Sequence, residues 1–187
     1  MQNCDSNRGF LMGMVVLYIA ATVDGYIASK DGSIDWLHPF EQSGEDYGYA
    51  AFYARLGAVV VGGNTYRQAL GFAQWPYPGM PTYVITSQAI PHPPDPSVRA
   101  YAGDVSILVA QIRQETGKDI WLVGGGQVIT QFANRQLIDR YIISIIPIIL
   151  GGGIPLFHDI AAPATLTLAS STSYPSGIVQ LDYRMAQ

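Results

Sequence analysis

Three places in the chain join an apolar run to glycines or hydroxyls, and they are where ligand chemistry is most easily built. In "DIWLVGGGQVITQF" (119–132), Ile120 to Val123 form a continuous apolar run that ends in Gly124, Gly125 and Gly126. Val128, Ile129 and Phe132 then recur at helical spacing, so a helix starts near Gly125. Strand, glycines, helix leaves amide N–H groups unhindered at the positive end of a helix dipole, an arrangement that holds phosphate. The same residues would also serve as a tight turn packing a helix onto a sheet. "AVVVGGNTY" (58–66) repeats the pattern: Gly62 and Gly63 end a strand and Asn64 caps a helix, where Thr65 offers both hydroxyl and amide. "TYVITSQ" (82–88) ends a third run in the hydroxyls of Thr86 and Ser87. Ligands of open α/β sheets bind beyond the carboxyl ends of the strands, so three such junctions favour a dinucleotide over chance packing.

The charged residues are less eloquent. Asp24 sits in an Asp-Gly turn on a long polar loop, where turn formation competes with a catalytic role. Asp35 and Trp36 share that loop. Asp46 reads as a helix cap. His38, His92 and His158 lie in loops without metal-ligand spacing, and a lone cysteine, Cys4, excludes an intramolecular disulfide and a cysteine metal site. No metal is expected.

The elements that must position these residues alternate. Strands are expected over 14–23, 57–63, 81–87, 97–102 and 119–123, and helices over 47–56, 64–72, from Asp104 to Gly117, and from Gly125 onward. The long loop spans 24–46. "LIDRYIISIIPIILGGGIPLF" (137–157) begins as an apolar strand, with a bulge or sheet edge expected at Pro147; its Gly151 to Phe157 tail reads as a bend and dimer contact. Segments 164–174 and 177–185 alternate like an antiparallel hairpin. The fold class is therefore α/β: a mostly parallel sheet, helices on both faces, antiparallel at one edge.

At 187 residues the chain fits one domain, expected over 14–187 behind a flexible leader, 1–13. A net charge of −4 with ten Lys and Arg argues against a nucleic-acid groove. The apolar run at 14–21 is too short to span a bilayer and lacks a cleavage site, so a cytoplasmic protein with no membrane partner is expected.

The order of "LYIAATVDGYIASKDGSIDW", "VVVGGNTY", "PTYVITSQ" and "DIWLVGGGQVITQF" resembles the dihydrofolate reductase fold. The segment "LIDRYIISIIPIILGGGIPLF" is similar, more specifically, to the riboflavin-pathway reductase domain and its free-standing bacterial relatives. The resemblance covers about Met14 to Met185. It implies a dihydrofolate reductase-like central sheet of about eight strands, NADPH (with NADH possible) as hydride donor, a small-molecule substrate and a homodimer. It places Ala20 and Ile27 at the nicotinamide carboxamide, and Gly63, Asn64 and Thr65 at the adenosine side and pyrophosphate. Thr86 and Ser87 would take the adenosine phosphate, and the stretch Val123, Gly124, Gly125, Gly126, Gln127 and Val128 the pyrophosphate. The family usually has an arginine where this chain has Gly63, often a basic residue at Gln127, and often an arginine at Ser87. Arg67 is the nearest replacement, and weak discrimination between NADPH and NADH is the resulting expectation.

Asp24, Trp36 and Glu41 are the catalytic candidates under this resemblance. Folate reductases carry a carboxylate on the helix after the long loop, and Glu41, Glu45 and Asp46 fall in that region. The reaction implied is hydride transfer to a pyrimidine-, pterin- or ribosyl-type substrate, as in a 5-amino-6-(5-phosphoribosylamino)uracil reductase. A true dihydrofolate reductase, or a non-catalytic nucleotide-binding protein on the same fold, remains the alternative.

Overall fold

A computed structural model describes residues 13–41, 44–90 and 92–186. The strands are β1 (Val15–Thr22), β2 (Tyr26–Ala28), β3 (Leu56–Gly62), β4 (Thr82–Ile85), β5 (Val98–Tyr101), β6 (Asp119–Gly124), β7 (Arg140–Ile146), β8 (Ile154–Pro155), β9 (Leu166–Ser173) and β10 (Val179–Met185). The helices are α1 (His38–Glu41), α2 (Tyr49–Tyr53), α3 (Gly63–Ala69), α4 (Val105–Thr116) and α5 (Gly126–Asn134). Eight strands form one sheet in the order β5-β4-β3-β6-β1-β7-β10-β9. The six from β5 to β7 pair in parallel, while β10 runs antiparallel to both β7 and β9. This is the α/β sheet with a C-terminal hairpin that the sequence pattern implies.

Period-two alternation explains why β1 and β6 hold the centre. Val15 and Leu17 face one side with Ile120 and Leu122, packing against Leu108 and Ile112 of α4 and Ile129 and Phe132 of α5. Val16 and Trp121 face the other side, with Val59 of β3 and Phe52 of α2. A third cluster joins Tyr66 of α3 to Val61, Val84 and Val98. The longest helix, α4, has a local reason to start and stop where it does. Asp104 accepts from the Ser106 N–H at 2.7 Å and Gly117 closes α4 in the left-handed region at φ 61.

The entry to β1 is pinned by two carboxylates. Asp119 Oδ1 accepts from the Met14 N–H at 2.9 Å and Asp139 Oδ2 from the Val15 N–H at 2.7 Å. Arg55 and Arg113 pair with these aspartates at 2.9 and 2.6 Å. Of the proposed leader only Gly13 lies within the described residues.

Several boundaries differ from the sequence expectation. α3 begins at Gly63 with Gly62 in the cap position, because the Asn64 side chain accepts from Arg67 instead of the backbone. Asp46 does accept from the Ala50 N–H, at 3.2 Å, but Gly48 occupies the cap of α2. The polar loop is not bare: it contains β2, a 3-10 turn over Asp35–Leu37, and α1. Such short segments carry too few residues to show a period. Pro147 produces neither a bulge nor an edge. β7 stops at Ile146, and the Ile148 N–H closes a three-residue turn onto the Ile146 carbonyl at 2.7 Å. β7 is also internal, so Tyr141, Ile142, Ile143 and Ile146 are buried within one chain and call for no partner.

Candidate functional site

The parallel strands β3, β4, β6 and β1 end at one side of the sheet, and there they open into a cleft of about 1510 Å³. A pocket for one drug-sized ligand measures about 300–1,000 Å³, so this cleft has room for two reactants side by side. All thirteen residues assigned to a cofactor line it: Ala20, Ile27, Gly63, Asn64, Thr65, Thr86, Ser87, Val123, Gly124, Gly125, Gly126, Gln127 and Val128. Trp36 and Glu41 line it as well.

The glycines divide between two needs. Gly124 (φ 133) and Gly125 (φ 28) occupy backbone conformations that side chains rarely adopt. At Gly126 a Cβ would come within 3.0 Å of the Pro155 carbonyl, and at Gly62 within 3.0 Å of Val128 Cγ2, so these two are close-packing glycines. Gly125 caps the nine-residue α5, leaving the first-turn N–H groups of Gly126 and Gln127 without an intrahelical acceptor. The Gly125 N–H donates to Thr65 Oγ1 at 3.1 Å, which welds the second junction to the first. Open amides, a helix dipole and hydroxyls within one cleft suit the pyrophosphate of a dinucleotide.

Aromatic rings from several elements wall part of the cleft. Tyr18 of β1, Tyr49 of α2, Tyr77 and Trp121 of β6 all line it. Trp121 meets Tyr49 and Tyr77 edge-on at 5.8 and 5.5 Å, and Tyr18 stacks on Phe52 at 4.6 Å. Behind them the Tyr18 hydroxyl donates to the Tyr47 carbonyl at 2.9 Å, and Gln180 Nε2 reaches Tyr18, Tyr47 and Ser144 at 3.2–3.3 Å. Burial pushes the Tyr49 phenol up to about 12 and raises those of Tyr18 and Tyr77, so all three stay neutral. A neutral aromatic wall accepts a flat ring by stacking. The indole N–H of Trp36 is buried and lacks a partner among the described residues.

Asp24 falls outside this lining. Its carboxylate accepts from the Thr22 hydroxyl at 2.6 Å and from the Leu150 and Gly151 N–H groups at 3.1 and 2.7 Å. The turn after β1 is thereby clasped to the 148–151 loop, and the Thr22 hydroxyl and those amides hold the carboxyl below its ordinary value. In this structure the Asp24 carboxylate clasps two loops and stands away from the cleft lining where the catalytic candidates Trp36 and Glu41 lie. Segment 151–157 does bend, and its middle also reaches the cleft. β8 pairs with β2, and Gly153, Ile154, Pro155 and His158 join the lining. Tyr18 and Trp121 stand in strand runs whose sequence pattern marks them only as core.

Charge within the cleft is sparse: Lys30 and Arg67 against Asp31 and Glu41, with His158 at one end. Arg67 points into the cleft, which sequence alone left open. Its Nη1 donates to Gln88 Oε1 at 3.3 Å and its Nη2 to Asn64 Oδ1. Among the described residues no group of three or more His, Cys, Asp or Glu side chains converges to hold a metal, and no helix is long and apolar enough to cross a membrane.

Sheet order, terminal hairpin and cleft together define a protein with the dihydrofolate reductase-like fold. Within it, the chain belongs to the RibD C-terminal domain family, whose model matches residues 14–180. The uncharacterized Bacillus subtilis (strain 168) protein YwjB is 38% identical over 169 residues, covering 90% of this chain and 95% of that protein. A crystal structure of a Shewanella sp. PV-4 protein named for riboflavin biosynthesis superposes with a TM-score of 0.85 at 29% identity, covering 93% of this chain and 99% of the other. The Thermotoga maritima diaminohydroxyphosphoribosylaminopyrimidine deaminase/5-amino-6-(5-phosphoribosylamino)uracil reductase shares the fold at TM-score 0.66 and 18% identity, with 94% of this chain and 57% of that one covered.

Proposed function

We propose that the protein is an NAD(P)H-dependent reductase of the riboflavin-pathway type, acting on a flat heterocycle or its ribosyl derivative. The observation that carries this reading is one cleft that couples two glycine junctions, joined by the Gly125–Thr65 bond, to a neutral aromatic wall. A bound nicotinamide would supply the hydride. The chain's own residues would do the rest. Gly126 and Gln127 would hold the pyrophosphate by their amides, and Ala20 and Ile27 would face the nicotinamide. Tyr49, Tyr77 and Trp121 would orient the substrate ring and exclude water. A C=N or C=O group that accepts hydride also needs a proton at its heteroatom. Glu41 is the carboxyl we assign to that delivery, since the buried phenols are poor acids.

The Thermotoga maritima relative, a 5-amino-6-(5-phosphoribosylamino)uracil reductase in its name, supports the same chemistry. Titrating the protein with NADPH and NADH by fluorescence, then assaying turnover on pterins and aminopyrimidines with and without a ribosyl phosphate, tests the reading. Dinucleotide binding without turnover on any of these would favour a non-catalytic nucleotide-binding protein. We also assign a homodimer, with the edge strand β9 in its interface: seven of its eight residues are exposed, and an open edge of that length is normally covered.

A further inference from the structure

Tyr47 falls outside the cleft lining, yet residues that do line it hang on its backbone and its phenol. Tyr47 and Gly48 both stand in the left-handed region, at φ 53 and 79, just before α2. Glycine suits that conformation. A tyrosine keeps it only where the surroundings fix the chain at several points, and such residues cluster at functional sites.

Here the residue is held from both ends. Its carbonyl accepts from the Tyr18 hydroxyl at 2.9 Å and from Gln180 Nε2 at 3.2 Å. Gln180 Nε2 also lies 3.2 Å from Ser144 Oγ, so β1, β7 and β10 all bear on this one carbonyl. At the other end the phenol donates to the Phe40 carbonyl at 3.1 Å and lies 3.2 Å from Ser176 Oγ, in the turn between β9 and β10. Its ring meets Tyr174 edge-on at 4.8 Å.

The bond to Phe40 matters because of what α1 lacks. This helix is a single turn, His38–Glu41, with no buried residue. Four residues cannot sustain a helix alone, and with no apolar face in the core α1 depends on tertiary hydrogen bonds for its place. Phe40 directly precedes Glu41, the carboxyl assigned above to proton delivery. Tyr18, on the opposite side of Tyr47, belongs to the aromatic wall. One residue locked in one conformation therefore spans from the turn that carries the acid to the ring wall.

We propose that Tyr47 is a positioning residue for the reaction: its phenol holds the Phe40–Glu41 turn at a set distance from Tyr18, so that the Glu41 carboxyl meets the heteroatom of a ring stacked on the wall. This rests on the reductase reading above.

The test separates positioning from stability. Tyr47→Phe removes the hydroxyl and keeps the ring and the carbonyl that Tyr18 and Gln180 use. Reduction of a pterin or aminopyrimidine by NADPH is followed in wild type, Tyr47→Phe, Glu41→Gln and the double variant, in H2O and in D2O. Misplacing a reacting group costs up to about a hundredfold, so Tyr47→Phe should lower kcat about tenfold to a hundredfold with the NADPH dissociation constant unchanged. Its solvent isotope effect should rise, because proton delivery becomes the slow step. In the Glu41→Gln background the same substitution should change kcat by less than about twofold, since no proton is left to place. Full kcat in Tyr47→Phe, or an equal loss in both backgrounds, overturns the assignment of Tyr47 and leaves the reductase reading standing. Full kcat in Glu41→Gln also overturns it, by removing the acid that Tyr47 would place. Absence of turnover by wild type across the whole panel overturns both readings together.

Discussion

Gly125 donates its backbone N–H to the hydroxyl of Thr65 at 3.1 Å, across sixty residues of sequence. One bond thus links the end of β6 to the start of α3, the two loops that would grip a dinucleotide.

Gly125→Val should therefore break the site before it breaks the fold. Residue 125 has φ 28, and its Cβ would stand 3.1 Å from Thr65 Oγ1. Backbone strain of this kind costs about 1–3 kcal/mol, within what a domain of this size tolerates. Circular dichroism should show a folded protein with a lowered melting temperature, and NADPH affinity should drop more than tenfold. Unaltered affinity would remove the glycine loop from the site.

Glu41→Gln keeps the shape of the proposed acid and removes its proton. Positioned acid catalysis contributes about 10²–10⁴-fold, so kcat should fall by at least a hundredfold while the dissociation constant for NADPH stays put. Full activity in this variant would hand protonation to water or to Asp31.

The Asp24 clasp carries a pH dependence. Its folded-state pKa lies below the ordinary 3.8, through the Thr22 hydroxyl first and the Leu150 and Gly151 amides after. A carboxyl depressed on folding contributes stability that is fully present above its unfolded value and is lost as pH falls through the folded one. Exchange of the Gly151 amide should accelerate only below about pH 3.8 in wild type. Asp24→Ala should show fast exchange at neutral pH with NADPH binding retained; loss of turnover with a rigid loop would restore Asp24 to the catalytic list.

Light scattering at micromolar concentration should give twice the chain mass. Introducing Lys at Leu168, a half-exposed apolar residue of β9, should shift the population to monomer. A monomer at every concentration in wild type would withdraw the dimer.

The parts of this protein that sequence determined alone are those with a local physical cause. Apolar runs and 3.6-residue periods mark β1, β3, β6, α4 and α5, because burial of one face imposes the pattern on the chain itself. The junctions at 62–65 and 124–128 were legible for the same reason, since glycine after a buried strand is a local conformational signal. Tertiary structure decided everything that depends on chain segments meeting. Tyr18, Tyr49, Tyr77 and Trp121 form one wall only because β1, α2, the loop before β4 and β6 converge, whereas Tyr18 and Trp121 by themselves read as core and Tyr77 as loop. Asp24 looked available until Leu150 and Gly151, 126 and 127 residues away, arrived to occupy it. Arg67 became a cleft cation because α3 starts at Gly63 and its side chain leans back over that glycine, a direction that no spacing in the sequence records.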